Sequence, residues 1–199
     1  MEKLITLILS FISGSMPFGF LVAYAVRKID IRKFGSGNIG ATNVYRVVGK
    51  SWGVTVFILD FLKGFFPVLI AKNFVSSSDS FLILVAVLAV CGHNWTPFLR
   101  FKGGKGVTTS LGALSGLGFV FPGLGWGLIT AIGIWLVVFL IFRFVSLASI
   151  TASLGFLVLA LIFVNSVSIK IVSFLLCVFI VFQHRKNIKR LLNKTENKV

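Results

Sequence analysis

Apolar residues gather into seven runs, at about 4–26, 52–73, 80–99, 106–121, 123–142, 146–164 and 168–184, and the polar residues fall between them. A helix needs about 20 residues at 1.5 Å each to cross a roughly 30 Å hydrocarbon core, so the pattern predicts seven membrane-crossing helices. The fourth run is the least regular, being short and rich in small residues (Gly106, Ser110, Gly112, Ser115, Gly116, Gly118). The first follows only Glu2 and Lys3, lacks a small-residue cleavage site and contains Ser13, Ser15 and Pro17. It therefore reads as a retained helix rather than a cleaved signal. The expected fold is all-α: a polytopic membrane protein, a seven-transmembrane-helix bundle forming one integral-membrane domain over 1–199, with no separate soluble domain.

Composition excludes a water-exposed globular domain, since 57% of the chain is hydrophobic, 13% is charged and the mean hydropathy is +1.01. Twenty Lys and Arg against five Asp and Glu give a net charge of +15, but no polar stretch is long enough to build a nucleic-acid-binding domain. Sixteen of the twenty cations fall on one side of the alternating runs: Arg27 to Lys50 after the first, Arg100 to Lys105 after the third, Arg143 after the fifth and Arg185 to Lys198 after the seventh. An excess of Lys and Arg marks cytoplasmic loops, which places the C-terminus in the cytoplasm and the N-terminus outside. Cys91 and Cys177 stand in apolar surroundings without metal-ligand spacing and read as small core residues. Small residues at Gly112 and Gly116, and at Gly123 and Gly127, have the spacing of close helix packing.

Three polar constellations lie on the cytoplasmic side, two of them in glycine-rich loops expected to be re-entrant or interfacial. In the first, Gly35, Gly37 and Gly40 formally match a dinucleotide fingerprint, but they follow a membrane helix rather than a strand of a parallel sheet, so NAD binding is rejected. What survives is an anion site: glycines that let amides converge, Ser36, Asn38, Thr42 and Asn43 as neutral donors, and Arg46 as a charge on a short helix that Gly49 ends. The second runs from Gly92 to Val107. Lys105 is followed by Gly106 instead of Ser or Thr, so this is not a nucleotide-hydrolysing phosphate loop; it is a glycine turn, Gly103-Gly104, that brings a lysine to a helix start. His93 could be a ligand or a base there, although a lone histidine at a helix end is more often structural. The third, His184 to Leu192, continues the seventh helix, with His184, Asn187 and Leu191 on one face and Lys186 and Arg190 turned elsewhere. Asp60 and Lys63 stand three apart inside the second run and can pair, and Ser146 and Ser149 share that spacing at the start of the sixth.

Taken together, four segments closely resemble the acyl-phosphate-dependent glycerol-3-phosphate acyltransferases of bacterial inner membranes. They are Ser13 to Gly19, Gly35 to Asn43, Gly92-His93 with Phe101 to Val107, and His184 to Leu192. Gln183 and Asn193 depart from the family's pattern, in which arginine commonly precedes the tail histidine and glycine commonly stands at the second position. The resemblance implies a seven-helix, multi-pass enzyme of the bacterial cytoplasmic membrane with its active site at the cytoplasmic face. It would move a fatty acyl group from acyl phosphate to the sn-1 hydroxyl of glycerol 3-phosphate, yielding lysophosphatidic acid and phosphate for phospholipid synthesis.

The residues suit that chemistry. Two phosphate-bearing substrates call for two cationic cradles, and an activated donor requires chiefly binding and orientation. Ser36, Asn38, Thr42 and Lys105, with the glycines Gly35, Gly37, Gly40, Gly103 and Gly104, are assigned to acyl phosphate. Arg46, Ser146, His184 and Asn187 are assigned to glycerol 3-phosphate, and the two cradles remain interchangeable at this stage. The expected partners are the two substrates and membrane lipid, with no nucleic acid, metal or cofactor. Either His184 or the donor's own phosphate could take the hydroxyl proton. A transporter of small phosphate esters is the competing reading. Against it stand the one-sided charge and the lack of paired broken helices between the two halves.

Overall fold

The computed structural model describes residues 1–199, all helix and connection without a strand. The chain forms two compact units, Met1–Leu117 and Gly118–Val199. Four segments are long and apolar enough to cross a membrane: Lys50–Phe74, Asp79–Leu99, Leu124–Phe142 and Val145–Phe163. Two bent pairs raise the number to six if each pair counts as one span.

The first unit opens with α1 (Glu2–Ser15) and α2 (Phe18–Arg27), which cover the first apolar run but are bent by 42°. Pro17 is the cause: it lacks an N–H and pushes the residue before it out of the helical region, and Met16 has ψ 116°. A turn at Ile31–Lys33 leads to α3 (Ala41–Val47), α4 (Lys50–Phe74), α5 (Asp79–Asn94), a second turn at Pro97–Leu99 and α6 (Val107–Leu117). The buried face of α4 is Gly53, Val56, Asp60, Lys63, Gly64, Pro67, Val68 and Ala71, at spacings of three and four. The large apolar side chains Phe57, Ile58, Phe66, Ile70 and Phe74 point outward. That distribution suits lipid, which rewards close backbone approach inside rather than bulk. Gly64 lies against the Thr109 carbonyl and Gly112 against that of Phe61, so α4 and α6 meet backbone to backbone, as the small-residue spacing predicts. At 11 residues α6 spans about 16 Å at 1.5 Å per residue, shorter than the run that predicted it.

Asp60 and Lys63 do pair, at 2.6 Å, with both side chains almost fully buried. Lys63 Nζ also donates to the Met16 carbonyl at 2.8 Å, at the α1–α2 break. Pro67 cannot donate to the carbonyl four residues before it, and the Ser13 hydroxyl reaches that Lys63 carbonyl at 3.4 Å.

The second unit is α7 (Leu124–Phe142), α8 (Val145–Phe163), α9 (Val167–Gln183) and α10 (Arg185–Leu192). Arg143, in the left-handed conformation, and Phe144 turn α7 into α8. Trp135 Nε1 donates to Ser149 Oγ at 3.2 Å across that hairpin. The tail is not a continuation of the last membrane helix: the chain bends by 56° at His184, and α10 begins a new axis.

Because one buried charge left alone is destabilising, Asp60→Asn and Lys63→Gln should each cost about 3 kcal/mol of stability. The double replacement should regain part of it. Thermal unfolding of detergent-purified variants checks this; single variants that melt like the parent would show that the pair carries no architectural load.

Candidate active site

Between α2 and α3 the chain is wound around one side chain. Asn43, 2% exposed, places Nδ2 against the carbonyls of Ile31, Phe34 and Asn38 at 3.3, 3.0 and 2.8 Å, and its Oδ1 accepts the Ser36 amide at 2.9 Å. Gly35, with φ +58°, lies directly against that Oδ1, where a side chain would collide. The Gly37 amide goes to Phe34 and the Gly40 amide to Asn38 Oδ1. The amides of Ser36, Gly37 and Gly40 are therefore spent inside the loop. The expectation that the glycine amides converge on a ligand is corrected for these, and Asn43 is the clamp of the loop rather than a donor to substrate. Ser36, Asn38, Thr42 and Arg46 stay half-buried along the same short stretch. Arg32 is committed elsewhere: its Nε and Nη2 donate to Asp30 at 2.9 and 2.8 Å, and this guanidinium holds the Asp30 carboxyl down to about 2.

The second loop folds back on the end of α5. Phe101 donates to the Thr96 carbonyl at 2.9 Å, Gly103 to Asn94 at 3.1 Å and Gly104 to His93 at 3.0 Å. Here too Gly103 and Gly104 turn their amides inward, so they shape the turn instead of lending N–H groups. The first bond of α6 runs from the Ser110 amide to the Gly106 carbonyl at 2.7 Å, which leaves Val107, Thr108 and Thr109 without helical acceptors. Lys105, half-buried, stands immediately before that helix start, whereas Lys102 is exposed. Leu99 packs into the cluster of Ile31, Ile39, Val44, Val48 and Val56, which brings both loops to the same end of the first unit.

In the second unit Ser146, His184 and Asn187 are all buried, at 2–5% exposure. His184 Nδ1 lies 2.8 Å from the Ile180 carbonyl, which can only accept. The neutral ring thus carries its proton on Nδ1 and its lone pair on Nε2. Ser146 and Asn187 are joined by a residue the sequence reading missed. Glu196 Oε1 accepts from Ser146 Oγ at 2.8 Å and Asn187 Nδ2 at 2.6 Å, and its Oε2 accepts from Arg190 Nε at 2.6 Å. Arg190 is therefore on the Asn187 side, not turned away, because the two stand three residues apart on α10 and so are neighbours on its surface. The available signal was that Glu196 is the sole acidic residue after Asp79. Val199 N–H closes the fold-back on the Arg143 carbonyl at 3.0 Å.

Burial acts to raise the Glu196 carboxyl, but the hydrogen bonds from Arg190, Asn187 and Ser146 outweigh it and hold it below its ordinary value. A carboxyl lowered on folding stabilises above its unfolded value, and that contribution is lost as pH falls through the lowered one. Glu196→Gln should accordingly speed amide hydrogen exchange over residues 193–199. The parent should show the same loosening only on acidification below the ordinary glutamate range. Unchanged exchange in the variant would mean that the Val199 contact alone holds the tail.

The glycerol-3-phosphate acyltransferase family model matches residues 4–194. A glycerol-3-phosphate acyltransferase of Thermoanaerobacter pseudethanolicus is 44% identical over 199 residues, covering 100% of this chain and 96% of that one. One from Aquifex aeolicus is 39% identical over 198 residues, with 100% of both chains covered. Among solved structures, the chain is similar to crystal structures of PlsY, an integral membrane glycerol 3-phosphate acyltransferase. The glycerol 3-phosphate form matches with TM-score 0.91, 37% identity, and 100% and 96% coverage of the two chains. The lysophosphatidic acid form matches with TM-score 0.87 at the same identity, covering 100% and 95%. The chain belongs to the glycerol-3-phosphate acyltransferase family.

Proposed function

We propose that this chain transfers a fatty acyl group from acyl phosphate to the sn-1 hydroxyl of glycerol 3-phosphate. The oxygen of that hydroxyl bonds to the acyl carbon, the bond from the acyl carbon to the phosphate oxygen breaks, and lysophosphatidic acid and inorganic phosphate leave. The observation that carries the reading is the turn at Gly103–Gly106. It presents Lys105 beside the first amides of α6, a fixed cation next to backbone donors, which suits phosphate oxygens. Lys105, with Ser36, Asn38 and Thr42 of the other loop, holds the acyl phosphate. Arg46, Ser146, His184 and Asn187 bind glycerol 3-phosphate. Gly35, Gly37, Gly40, Gly103 and Gly104 give the two loops their shape.

Acyl phosphate is already activated, so no covalent acyl-enzyme is needed, and orientation with charge stabilisation supplies the acceleration. The leaving phosphate accepts the hydroxyl proton as the new bond forms, and Lys105 stabilises the charge that shifts onto it. We read 1–199 as one catalytic domain, because the family model runs across both compact units. We count seven crossings, with α1 and α2 as one and α6 as the shortest. The protein lies in the bacterial cytoplasmic membrane with its N-terminus outside and its C-terminus and glycine loops cytoplasmic, which is the side of the basic connections. Membrane lipid surrounds the apolar faces and receives the product.

Turnover of acyl phosphate and glycerol 3-phosphate by purified protein in detergent tests the function, and efficient use of acyl-CoA would overturn the donor assignment. Lys105→Ala should lower kcat/KM by roughly 100-fold or more, in the range expected for one lost charge-stabilising group. Lys102→Ala should do far less, and equal losses would remove the distinction between the two lysines. His184→Ala should raise the KM for glycerol 3-phosphate while saturating substrate restores measurable turnover. A loss of kcat that no concentration restores would instead make His184 the base.

A further inference from the structure

His93 is a buried side chain that the proposed reaction does not use. It sits in the last turn of α5, 5% exposed, with two neighbours of different kinds. On one side Nδ1 is 3.7 Å from Asp60 Oδ1, the same oxygen that Lys63 contacts, and Lys63 is in turn anchored on the Met16 carbonyl. On the other side the ring lies flush against Gly104. A methyl group built on Gly104 would collide with Nε2, Cε1 and Cδ2 of the ring. The His93 carbonyl meanwhile accepts the Gly104 amide at 3.0 Å. Gly104 has an ordinary negative φ, unlike Gly106 at +77°, so its backbone would accept alanine. The three atoms nearest to a side chain there all belong to the histidine ring.

We propose that His93 is the positioning residue of the phosphate loop. Packed beside Asp60 without a hydrogen bond to it, with the Asp60–Lys63 pair and the α1–α2 break behind that carboxylate, the imidazole sets how closely Gly104 approaches the end of α5. That distance sets where Lys105 and the first amides of α6 stand. The group that Asp60, Lys63 and His93 form in the interior is a rigid seat for the loop, and its action on substrate passes through Gly104. This inference rests on the assignment of the Lys105 loop to a phosphate-bearing substrate.

A size exchange tests it. Gly104→Ala should fold and melt like the parent yet lose roughly 100-fold in kcat/KM, the scale of a displacement of about 1 Å at a reacting centre. His93→Ala should make a smaller loss, seen mainly as a raised KM for one of the two phosphate substrates. His93→Ala combined with Gly104→Ala should recover at least about tenfold over Gly104→Ala alone, because the new methyl group occupies the space of the ring. If His93→Ala does not give folded protein, His93→Asn, which is shorter and keeps a polar tip towards Asp60, takes its place in the same cycle. A double variant no better than Gly104→Ala alone would overturn the positioning role and leave the phosphate assignment standing. A fully active Gly104→Ala would overturn both.

Discussion

In an apolar surrounding, every polar group that cannot reach water must be answered inside the protein, and the answers given around Lys63 set the shape of the first unit. Pro17 and Pro67 each break a helical hydrogen-bond ladder. Lys63 Nζ answers the Met16 carbonyl and the Ser13 hydroxyl answers the Lys63 carbonyl, while Asp60 neutralises the ammonium. An ion pair in such a place gains little by itself, because desolvating two charges offsets their attraction. Its use is geometric. It ties the bend of α1–α2 to α4, and α2 is the helix that delivers the chain to the first glycine loop.

Each loop has only one short helical turn of its own, at Ile31–Lys33 and Pro97–Leu99, yet neither is slack. The first is organised by the Asn43 side chain, which serves three carbonyls and one amide. The second is organised by the carbonyls of His93 and Asn94 at the end of α5. In each case glycine is required by the object it lies against, the Asn43 carboxamide for Gly35 and the His93 ring for Gly104. A reaction accelerated chiefly by orientation needs such loops, since a donor already activated leaves little else for the protein to supply.

Hydropathy alone located the helices to within a few residues, because each run is apolar on its outward face and small or apolar on most of its buried one. It could not see the breaks at Pro17 and His184, since a bent helix and a straight one have the same apolar composition. The short α6 was legible as an irregular run, and its cause, backbone packing against α4, was legible in Gly112 and Gly116. Motif reading found the glycine loops but misassigned their amides: donors in a sequence look alike whether they face a ligand or the fold. Asn43 was read as one more donor for that reason. Glu196 escaped notice because counting charge by sign treats a basic tail as uniformly solvated, while the tail's single carboxylate is what folds it back on Ser146, Asn187 and Arg190.

The five carboxylates complete the electrostatic argument. Asp60 holds Lys63, Asp30 holds Arg32 and Glu196 holds Arg190. The other two, Glu2 and Asp79, open α1 and α5, where a negative charge is favoured by the helix dipole. The length of α5 puts Asp79 about 24 Å along the axis from the loop at its other end. A phosphate approaching either glycine loop therefore meets no carboxylate that lacks its own cation. With so few acids in the chain, the strong positive charge keeps the ends of the helices that carry the loops favourable to anions.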